Sequence, residues 1–454
     1  MPSSPLTPHQ QALALFAAGD GEGALILLRQ VVAGNLGNAD AWCDLGTVLQ
    51  SQNEIPEALL CFSKAISRNP NEAAYRFNRG NALTNIEDWE AAERDYQAAI
   101  SLRPDYPDTW YNLGNALREM CRWEEASLAY AKAIALRPDF AEARWNNSLL
   151  LLMQGDYANG WRDYEWGFSR IDARGPKRDF PVPQWSGEDL AGRSILLHAE
   201  QGFGDTLQFC RYAPLVAARG GLVILEAPRP LIRLLKSLSG VSELVATGDP
   251  LPAFDLHCPL MSLPLAFGTE IETIPATLPY LAADPADIAR WRERLGDRPG
   301  LKIGLIWAGN PRSDQPQAHR IDARRSMGFA NFAPLLEIPG LRLISLQIGA
   351  RGQEAQGAIE DYTNEISDFA DSAGLMANLD MIIGVDTAAI HLSGALARPS
   401  WVLSRFDGCW RWHLKGAESP WYPDILRIFR QTSPGDWANV IEEVASTLRK
   451  FMKE

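Results

Sequence analysis

Three stretches in the C-terminal half of the chain combine glycine with side chains that bind anions or move protons. The first spans residues 200–205 and reads EQGFGD, between an apolar run and a helical pattern. Gly202 and Gly204 permit a ligand to approach the backbone closely. Asp205 can accept a proton or merely cap the helix that follows. A dinucleotide fingerprint is excluded, because no third glycine follows at the proper spacing.

The second stretch, residues 384–392, reads GVDTAAIHL and begins a helix after an apolar strand pattern. The free N–H groups and the dipole at a helix N-terminus attract a diphosphate without a basic surface. His391 lies one helical turn after Thr387 and can face the same ligand. In the alternative interpretation, Asp386 and Thr387 only cap the helix and His391 is a hydrogen-bonded core histidine.

The third stretch, residues 307–311, reads WAGNP and leads into a polar segment that contains His319, Arg320, Arg324, Arg325 and Ser326. Clustered guanidinium groups suit phosphate oxygens. In the alternative interpretation, the polar segment is simply a solvated loop that contacts no ligand. Its position after a predicted strand, in the same region as the second stretch, favours ligand contact.

These stretches follow strands of an expected α/β region. Pro- and Gly-rich residues 173–190 predict a linker, and a second break at residues 283–300 separates two expected lobes, 191–290 and 300–454. Apolar runs that alternate with helical patterns predict parallel sheets, which bind ligands at the carboxyl ends of their strands. The predicted strands are 194–199, 222–226, 301–307, 341–347, 380–385 and 400–404.

A repeat of 34 residues runs through the N-terminal part of the chain, with five units between about residues 5 and 172. Small residues let paired helices approach, aromatic rings are expected to fill the space between pairs, and proline ends each second helix. The recurring residues are Ala24, Ala58, Ala92 and Ala126; Phe62, Tyr96, Tyr130 and Tyr164; Gly46, Gly80 and Gly114; and Pro70, Pro104 and Pro138.

Asparagine recurs in the same register at Asn78, Asn112 and Asn146, with Asp44 at the preceding equivalent position. These positions adjoin the core positions, so we expect them outside the core and facing the inner groove. An amide both donates and accepts, which matches an extended peptide backbone. The alternative is that asparagine is simply solvated at this repeat position.

The repeats resemble tetratricopeptide repeats, and the asparagine ladder resembles that of O-linked GlcNAc transferases, which hold polypeptide acceptors. The two motifs Gly202-x-Gly204-Asp205 and Asp386-Thr387-x-x-x-His391 resemble the paired motifs of heptosyltransferase-type glycosyltransferases. The resemblance implies an α-helical solenoid followed by a GT-B fold of two Rossmann-like lobes.

In that family the first aspartate is the general base, which implies Asp205, with Gly204 beside the acceptor. In the same family the second motif binds the donor diphosphate. The implied donor-binding residues, including those expected along the same side of the predicted sheet, are Asn310, Arg325, Ser326, Gln347, Asp386, Thr387, Ala388 and His391. Ala388 stands where heptosyltransferases usually have glycine, and their lysine-bearing loop has no clear counterpart.

The expected function is therefore inverting transfer of a sugar from a nucleotide sugar to a protein, such as flagellin, held by the repeats. The sequence has no D-x-D motif of the kind that binds a metal in other glycosyltransferases, so no metal is expected. A helix dipole and arginines would stabilise the diphosphate instead. No cofactor is expected either. Alternatives are a lipid-linked or lipopolysaccharide-type acceptor, a nucleotide-sugar epimerase, or a non-catalytic scaffold with a degenerate GT-B domain.

Composition narrows the partners further. The formal charge of −13 and the acidic isoelectric point of about 5.1 argue against a sequence-independent hold on nucleic acid. The first ten residues lack the pattern of a signal peptide, and no apolar run reaches the length of a spanning helix. We therefore expect no membrane span and a cytoplasmic location.

Overall fold

The structure, a computed structural model, describes residues 5–170, 173–312, 314 and 316–453. The chain divides into two compact units, Met1–Leu150 and Leu151–Glu454. The boundary therefore falls before residue 172, where the sequence pattern places the end of the solenoid.

The first unit consists of antiparallel helix pairs, and the boundary to the second unit falls within its last helix. Its helices are α1 (Pro8–Ala17), α2 (Gly21–Gly34), α3 (Ala39–Ser51), α4 (Ile55–Arg68), α5 (Ala73–Asn85), α6 (Trp89–Leu102), α7 (Pro107–Glu119), α8 (Trp123–Leu136) and α9 (Ala141–Gln154). Pro70, Pro104 and Pro138 each follow the end of a second helix, as predicted.

Glycine and aromatic residues of the repeat pack against each other within a helix pair. A Cβ atom on Gly80 would lie 2.7 Å from the ring of Tyr96, and one on Gly114 would lie 2.6 Å from the ring of Tyr130. The rings are almost fully buried. The expectation that they fill the space between pairs is therefore corrected: each ring lies on the glycine of its own pair.

The second unit contains two parallel sheets. The first has the order β3-β2-β1-β4 and the second the order β10-β9-β8-β5-β6-β7. The strands are β1 (Ser194–His198), β2 (Leu222–Ala227), β3 (Glu243–Ala246), β4 (Leu256–Pro259), β5 (Leu301–Ile306), β6 (Leu341–Ser345), β7 (Glu360–Asp361), β8 (Met381–Val385), β9 (Ser400–Ser404) and β10 (Leu426–Arg430).

Helices flank both sheets. They are α10 (Tyr157–Tyr164), α11 (Phe203–Phe209), α12 (Ala213–Ala218), α13 (Ile232–Leu235), α14 (Leu263–Ala266), α15 (Pro285–Leu295), α16 (Pro316–Arg325), α17 (Ala333–Leu336), α18 (Phe369–Met376), α19 (Ala388–Ala395) and α20 (Trp437–Phe451). In α20, Val440, Ile441, Val444 and Leu448 share one apolar face and pack into the core of the second sheet.

Helix α10 belongs to the second unit although its sequence continues the repeat. Trp161 is 2% exposed, and its ring contacts Phe209, Trp410 and Trp421 at centroid distances of 6.0, 5.3 and 6.4 Å. Aromatic packing on the α/β region therefore fixes this helix there.

Candidate functional site

Strand order brings the predicted stretches to the carboxyl edges of the two sheets. In the second sheet, β5 lies between β6 and β8, so the chain leaves in opposite directions after β5 and β8. The third stretch follows β5 and the second follows β8. The first stretch follows β1, which lies between β2 and β4 in the first sheet. Such crossover points are where doubly wound sheets bind ligands.

The N-terminus of α19 has an unsatisfied polar cap. Thr387 is its N-cap residue, yet it makes no side-chain cap bond within the described residues. The Thr387 hydroxyl is buried and has no hydrogen-bond partner in that part of the chain. The first N–H groups of a helix have no intrahelical acceptors. The turn at Thr387 and Ala388 therefore presents donors that suit an anion.

His391 lies on the first turn of α19 and is 3% exposed. Its Nδ1 atom is 2.9 Å from the Tyr422 hydroxyl, and its ring stacks on Trp412 with centroids 5.4 Å apart. Burial and the charge of Arg411 lower the pKa of His391 to about 3. The imidazole is therefore neutral at physiological pH and acts through hydrogen bonds rather than charge.

Asp386 lies at the start of the same loop, with Oδ1 3.9 Å from Nε2 of His391. Burial opposes its charge, but the arginines around it, Arg411 and Arg325 among them, hold the pKa of Asp386 below its ordinary value. Arg325 donates to the Asp386 carbonyl at 3.2 Å and pairs with Asp322 at 2.9 Å. Asp386 is thus a carboxylate surrounded by arginine side chains.

Asp205 is the third residue of α11 and has two partners. Its Oδ2 atom accepts a bond of 2.9 Å from the Gly202 N–H. Gly202 is the N-cap residue of α11, so the alternative expectation that Asp205 itself is the N-cap is corrected: its carboxylate bonds back to the N-cap from inside the helix. Its Oδ1 atom forms an ion pair with Arg411, which comes from the second sheet's region. The Asp205 side chain remains 20% exposed, so solvent or a ligand can still reach the carboxylate.

The first and second stretches meet directly. A Cβ atom on Gly204 would lie 3.0 Å from Cδ2 of His391 and 3.4 Å from Cα of Ala388. Phe203 packs on Phe369 with ring centroids 5.1 Å apart. A side chain at Gly204 would force His391 to shift by a few tenths of an ångström, so glycine suits this close approach.

The remaining predicted donor residues have different environments. Ser326 accepts from the Gly309 N–H at 3.0 Å, so it positions the third stretch. Gln347 accepts from the N–H groups of Trp307 and Ala308 at 3.0 and 2.8 Å, so its oxygen is engaged by the same loop. Asn310 is exposed and closes a turn by accepting from the Arg312 N–H at 3.2 Å.

Sequence reasoning missed Arg411, Trp412 and Tyr422 as site residues. They lie far along the chain from both stretches, yet they contact Asp205 and His391. Two short segments rich in aromatic residues, WRW at 410–412 and SPWYP at 419–423, were the sequence feature that could have indicated these site residues. Their spacing carries no metal or phosphate pattern, so only the tertiary structure reveals the contact.

In the first unit the asparagine ladder forms bonds between successive repeats. Asn112 donates to Asn81 at 2.8 Å, and Asn146 donates to Asn115 at 2.9 Å. Asn78 donates to the Cys43 sulfur at 3.2 Å.

Asn146 is 6% exposed, so the expectation that all three ladder positions lie outside the core is corrected. Each repeat stacks on the next, and a polar side chain at the contact must find a partner there.

Comparison with known proteins confirms the repeats. A family model described as tetratricopeptide repeat matches residues 39–72 and 107–140, and a TPR repeat model matches residues 80–120. The chain is similar to Protein FlbA of Caulobacter vibrioides, with 29% identity over 94% of this chain and 70% of that protein.

Two similar solved structures each cover about a third of this chain. A crystal structure of MamA is 23% identical over 34% of this chain and 91% of that chain, with a TM-score of 0.33. PilF of Pseudomonas aeruginosa is 22% identical over 38% of this chain and 76% of that chain, with a TM-score of 0.34.

Membrane-spanning helices and metal-binding clusters are both absent from the described residues. Among them, no helix has both the length and the apolar character needed to cross a bilayer. Within the same ranges, no group of three or more His, Cys, Asp or Glu residues is arranged to hold a metal ion.

Proposed function

We propose that this protein is a glycosyltransferase of the GT-B type that transfers a sugar from a nucleotide sugar to a protein in the cytoplasm. The contact between Gly204 and the first turn of α19 carries the proposal. It brings a carboxylate, Asp205, beside a helix N-terminus with unsatisfied donors at Thr387. Glycosyl transfer needs these two chemistries next to each other, one for the proton and one for the diphosphate.

The reaction would proceed by one displacement. Asp205 accepts the proton of the acceptor hydroxyl while the acceptor oxygen bonds to the anomeric carbon of the sugar. The bond from that carbon to the diphosphate oxygen breaks, and its electron pair leaves with the nucleoside diphosphate. The N–H groups of α19 and the nearby arginines stabilise the charge that develops on this leaving group. A single displacement inverts the anomeric configuration.

The repeats support a protein acceptor. Tetratricopeptide arrays commonly bind polypeptides, and the oxygens of the partly exposed Asn78 and Asn112 can accept from a peptide N–H, whereas Asn146 is buried. Their amide nitrogens already donate within the stack. The ladder therefore offers acceptors more readily than the matched donor and acceptor that the sequence pattern predicts.

The donor is tested by mixing the full chain with UDP-N-acetylglucosamine, UDP-glucose, GDP-mannose and ADP-heptose and recording thermal stabilisation. The stabilising donor is then incubated with flagellin and, separately, with a lipopolysaccharide core saccharide. We expect a mass increase of one sugar residue on flagellin. Transfer to the saccharide alone would replace the protein acceptor by the lipid-linked one.

A matched pair of variants tests the ladder. The first replaces Asn78, Asn112 and Asn146 by Ala, and the second replaces Asn81 and Asn115 by Ala. The second breaks the Asn112 and Asn146 bonds between repeats but keeps the ladder side chains. Transfer to protein should fall further in the first than in the second, with donor hydrolysis unchanged in both. Equal loss would mean that the ladder only stabilises the stack.

A non-catalytic scaffold is the second candidate. It is favoured by the engagement of both Asp205 carboxylate oxygens, one in a helix cap and one in an ion pair. A scaffold binds none of the four donors and none of their nucleoside diphosphates, so the same thermal measurement separates the two functions.

A further inference from the structure

Arg411 is held in place from several directions. It lies in a short helical turn, Trp410–Trp412, between β9 and β10. Its guanidinium carbon is 4.2 Å from the centre of the Trp410 ring, and the neighbouring Trp412 is fully buried against His391. The Arg411 side chain is 12% exposed. A guanidinium so confined has a defined set of partners rather than a solvent shell.

Its present partners come from the first sheet's region. Arg411 pairs with Asp205, and its Nε donates to the Gln208 oxygen at 2.7 Å. Within the described residues its Nη1 atom has the Cys409 sulfur, at 3.6 Å, as its one acceptor, and sulfur is a weak one. In that part of the chain, one edge of the guanidinium therefore lacks a strong acceptor.

Two polar side chains, one in α11 and one at the start of α19, have a donor without an acceptor among the described residues. Gln208 is fully buried, and its Nε2 atom has no partner there. The same amide already accepts from Arg411, so this free donor lies beside the guanidinium. The Thr387 hydroxyl at the start of α19 has no partner in that part of the chain either. Both helices therefore have donors left for an anion.

We propose that Arg411 exchanges partners: it pairs with Asp205 in the free protein and with the donor diphosphate when a nucleotide is bound. The inference rests on the proposed function and deepens it. A Cβ atom on Gly204 would lie 3.4 Å from Cα of Ala388, so the helix start that carries Asp205 adjoins the helix N-terminus proposed to bind the diphosphate.

The exchange couples donor binding to proton transfer. The Oδ1 atom of Asp205 that pairs with Arg411 is occupied by the guanidinium. When Arg411 moves to the diphosphate, Asp205 is freed to accept the proton of the acceptor hydroxyl. The same guanidinium then neutralises charge on the departing nucleoside diphosphate. The Oδ1 atom of Asp205 is thus open to the acceptor only when the donor is in place.

The experiment measures nucleoside diphosphate affinity, which does not require an acceptor. The full chain is titrated calorimetrically with UDP, GDP, ADP and CDP, and the tightest binder is used for the variants Asp205→Asn, Arg411→Gln and their combination. Arg411→Gln should weaken binding about ten- to hundredfold, as expected for loss of a charge-assisted contact. Asp205→Asn should tighten binding about fivefold or more, because the nucleotide no longer competes for Arg411.

The combined variant separates competition from simple repulsion. If Asp205 acts by holding Arg411, Asp205→Asn should change affinity less than about twofold in the Arg411→Gln background. Equal tightening in both backgrounds overturns the exchange, because removal of a nearby negative charge would then account for it. Unchanged affinity in Asp205→Asn also overturns it, and leaves the donor site intact.

Two further variants keep the result interpretable. Arg229→Gln removes a surface pair with Asp249 and should leave affinity at the wild-type value. Arg411→Lys keeps the charge, and in this background Asp205→Asn should still tighten binding if Arg411→Gln fails to fold. If the wild type binds none of the four nucleotides, the proposed function and the exchange both fall.

Discussion

Two strand-to-helix loops of the second unit both contain small and acidic residues, but their side chains are engaged differently. In the loop before α11, Asp205 accepts from the Gly202 N–H, so its carboxylate is held against the residue before the helix. In the loop before α19, Thr387 makes no cap bond within the described residues, and its hydroxyl is buried without a partner there.

The difference teaches how one fold can supply two chemistries. The bond from the Gly202 N–H holds the Asp205 carboxylate in a fixed position at the start of α11. At α19 the N-cap side chain bonds none of the described N–H groups, so these groups and the helix dipole remain for an external ligand. The first loop therefore suits proton transfer and the second suits a diphosphate.

The largest effect should come from the first loop. We expect Asp205→Asn to lower the transfer rate about 10²–10⁴-fold, because a general base is lost while the amide oxygen can still cap α11. Nucleotide binding should not weaken in this variant. The rate is measured by donor turnover at saturating donor and acceptor. A rate near the wild-type value would reduce Asp205 to a helix cap.

A pair of threonines tests the contrast between loops directly. We expect Thr387→Val to weaken nucleoside diphosphate binding about two- to tenfold at unchanged stability, because its hydroxyl has no partner to lose. Thr206, in α11, donates to the Gly202 carbonyl at 3.3 Å. Thr206→Val should instead lower the free energy of unfolding by about 0.5–1.5 kcal/mol and leave binding unchanged.

Calorimetric titration and urea unfolding of the two threonine variants give both quantities. The contrast between the loops fails if the two substitutions have the same effect on binding, or if Thr387→Val destabilises the fold as much as Thr206→Val.

The neutral His391 in the second loop predicts a pH dependence of stability. Its pKa is lowered from 6.5 to about 3, so below pH 6.5 the unfolded chain binds a proton that the folded chain does not. Stability should fall as pH falls from about 6.5 toward 3, by up to about 1.4 kcal/mol per pH unit for this residue. In His391→Gln that contribution disappears and the slope becomes shallower.

Unfolding midpoints between pH 7 and pH 5 measure the slope. His198, whose pKa is also lowered to about 3 through burial, gives a parallel variant outside the second loop. Slopes identical to the wild type in both His391→Gln and His198→Gln would show that these imidazoles are charged in the folded protein.

The smallest expected effect is that of a chelator. In the proposed site, helix N–H groups and arginines, rather than a metal, would hold the diphosphate, so excess EDTA should leave donor turnover unchanged. Addition of magnesium or manganese to the chelated protein is the control. Activity that disappears with EDTA and returns with metal would contradict the proposed division of chemistry between the loops.

Several strands followed from the sequence within one or two residues. Apolar runs predicted β1, β2, β5, β6, β8 and β9. The missed strands are β3, β4, β7 and β10. Strands β3 and β4 have only four residues each, β7 consists of two acidic residues, and β10 contains two arginines among its five residues. Such segments pair because neighbouring strands are already in place.

The sequence by itself determined the local chemistry of this protein: a 34-residue period that stacks helix pairs, six strands, and two loops whose residues can cap, donate or accept. These features depend on neighbours along the chain, so spacing is enough to predict them. Only the tertiary structure decided which loops meet, that Arg411 pairs with Asp205, and that Asn112 and Asn146 donate to the adjacent repeat. Those contacts join residues far apart in sequence, and strand order and helix packing alone bring them within bonding distance.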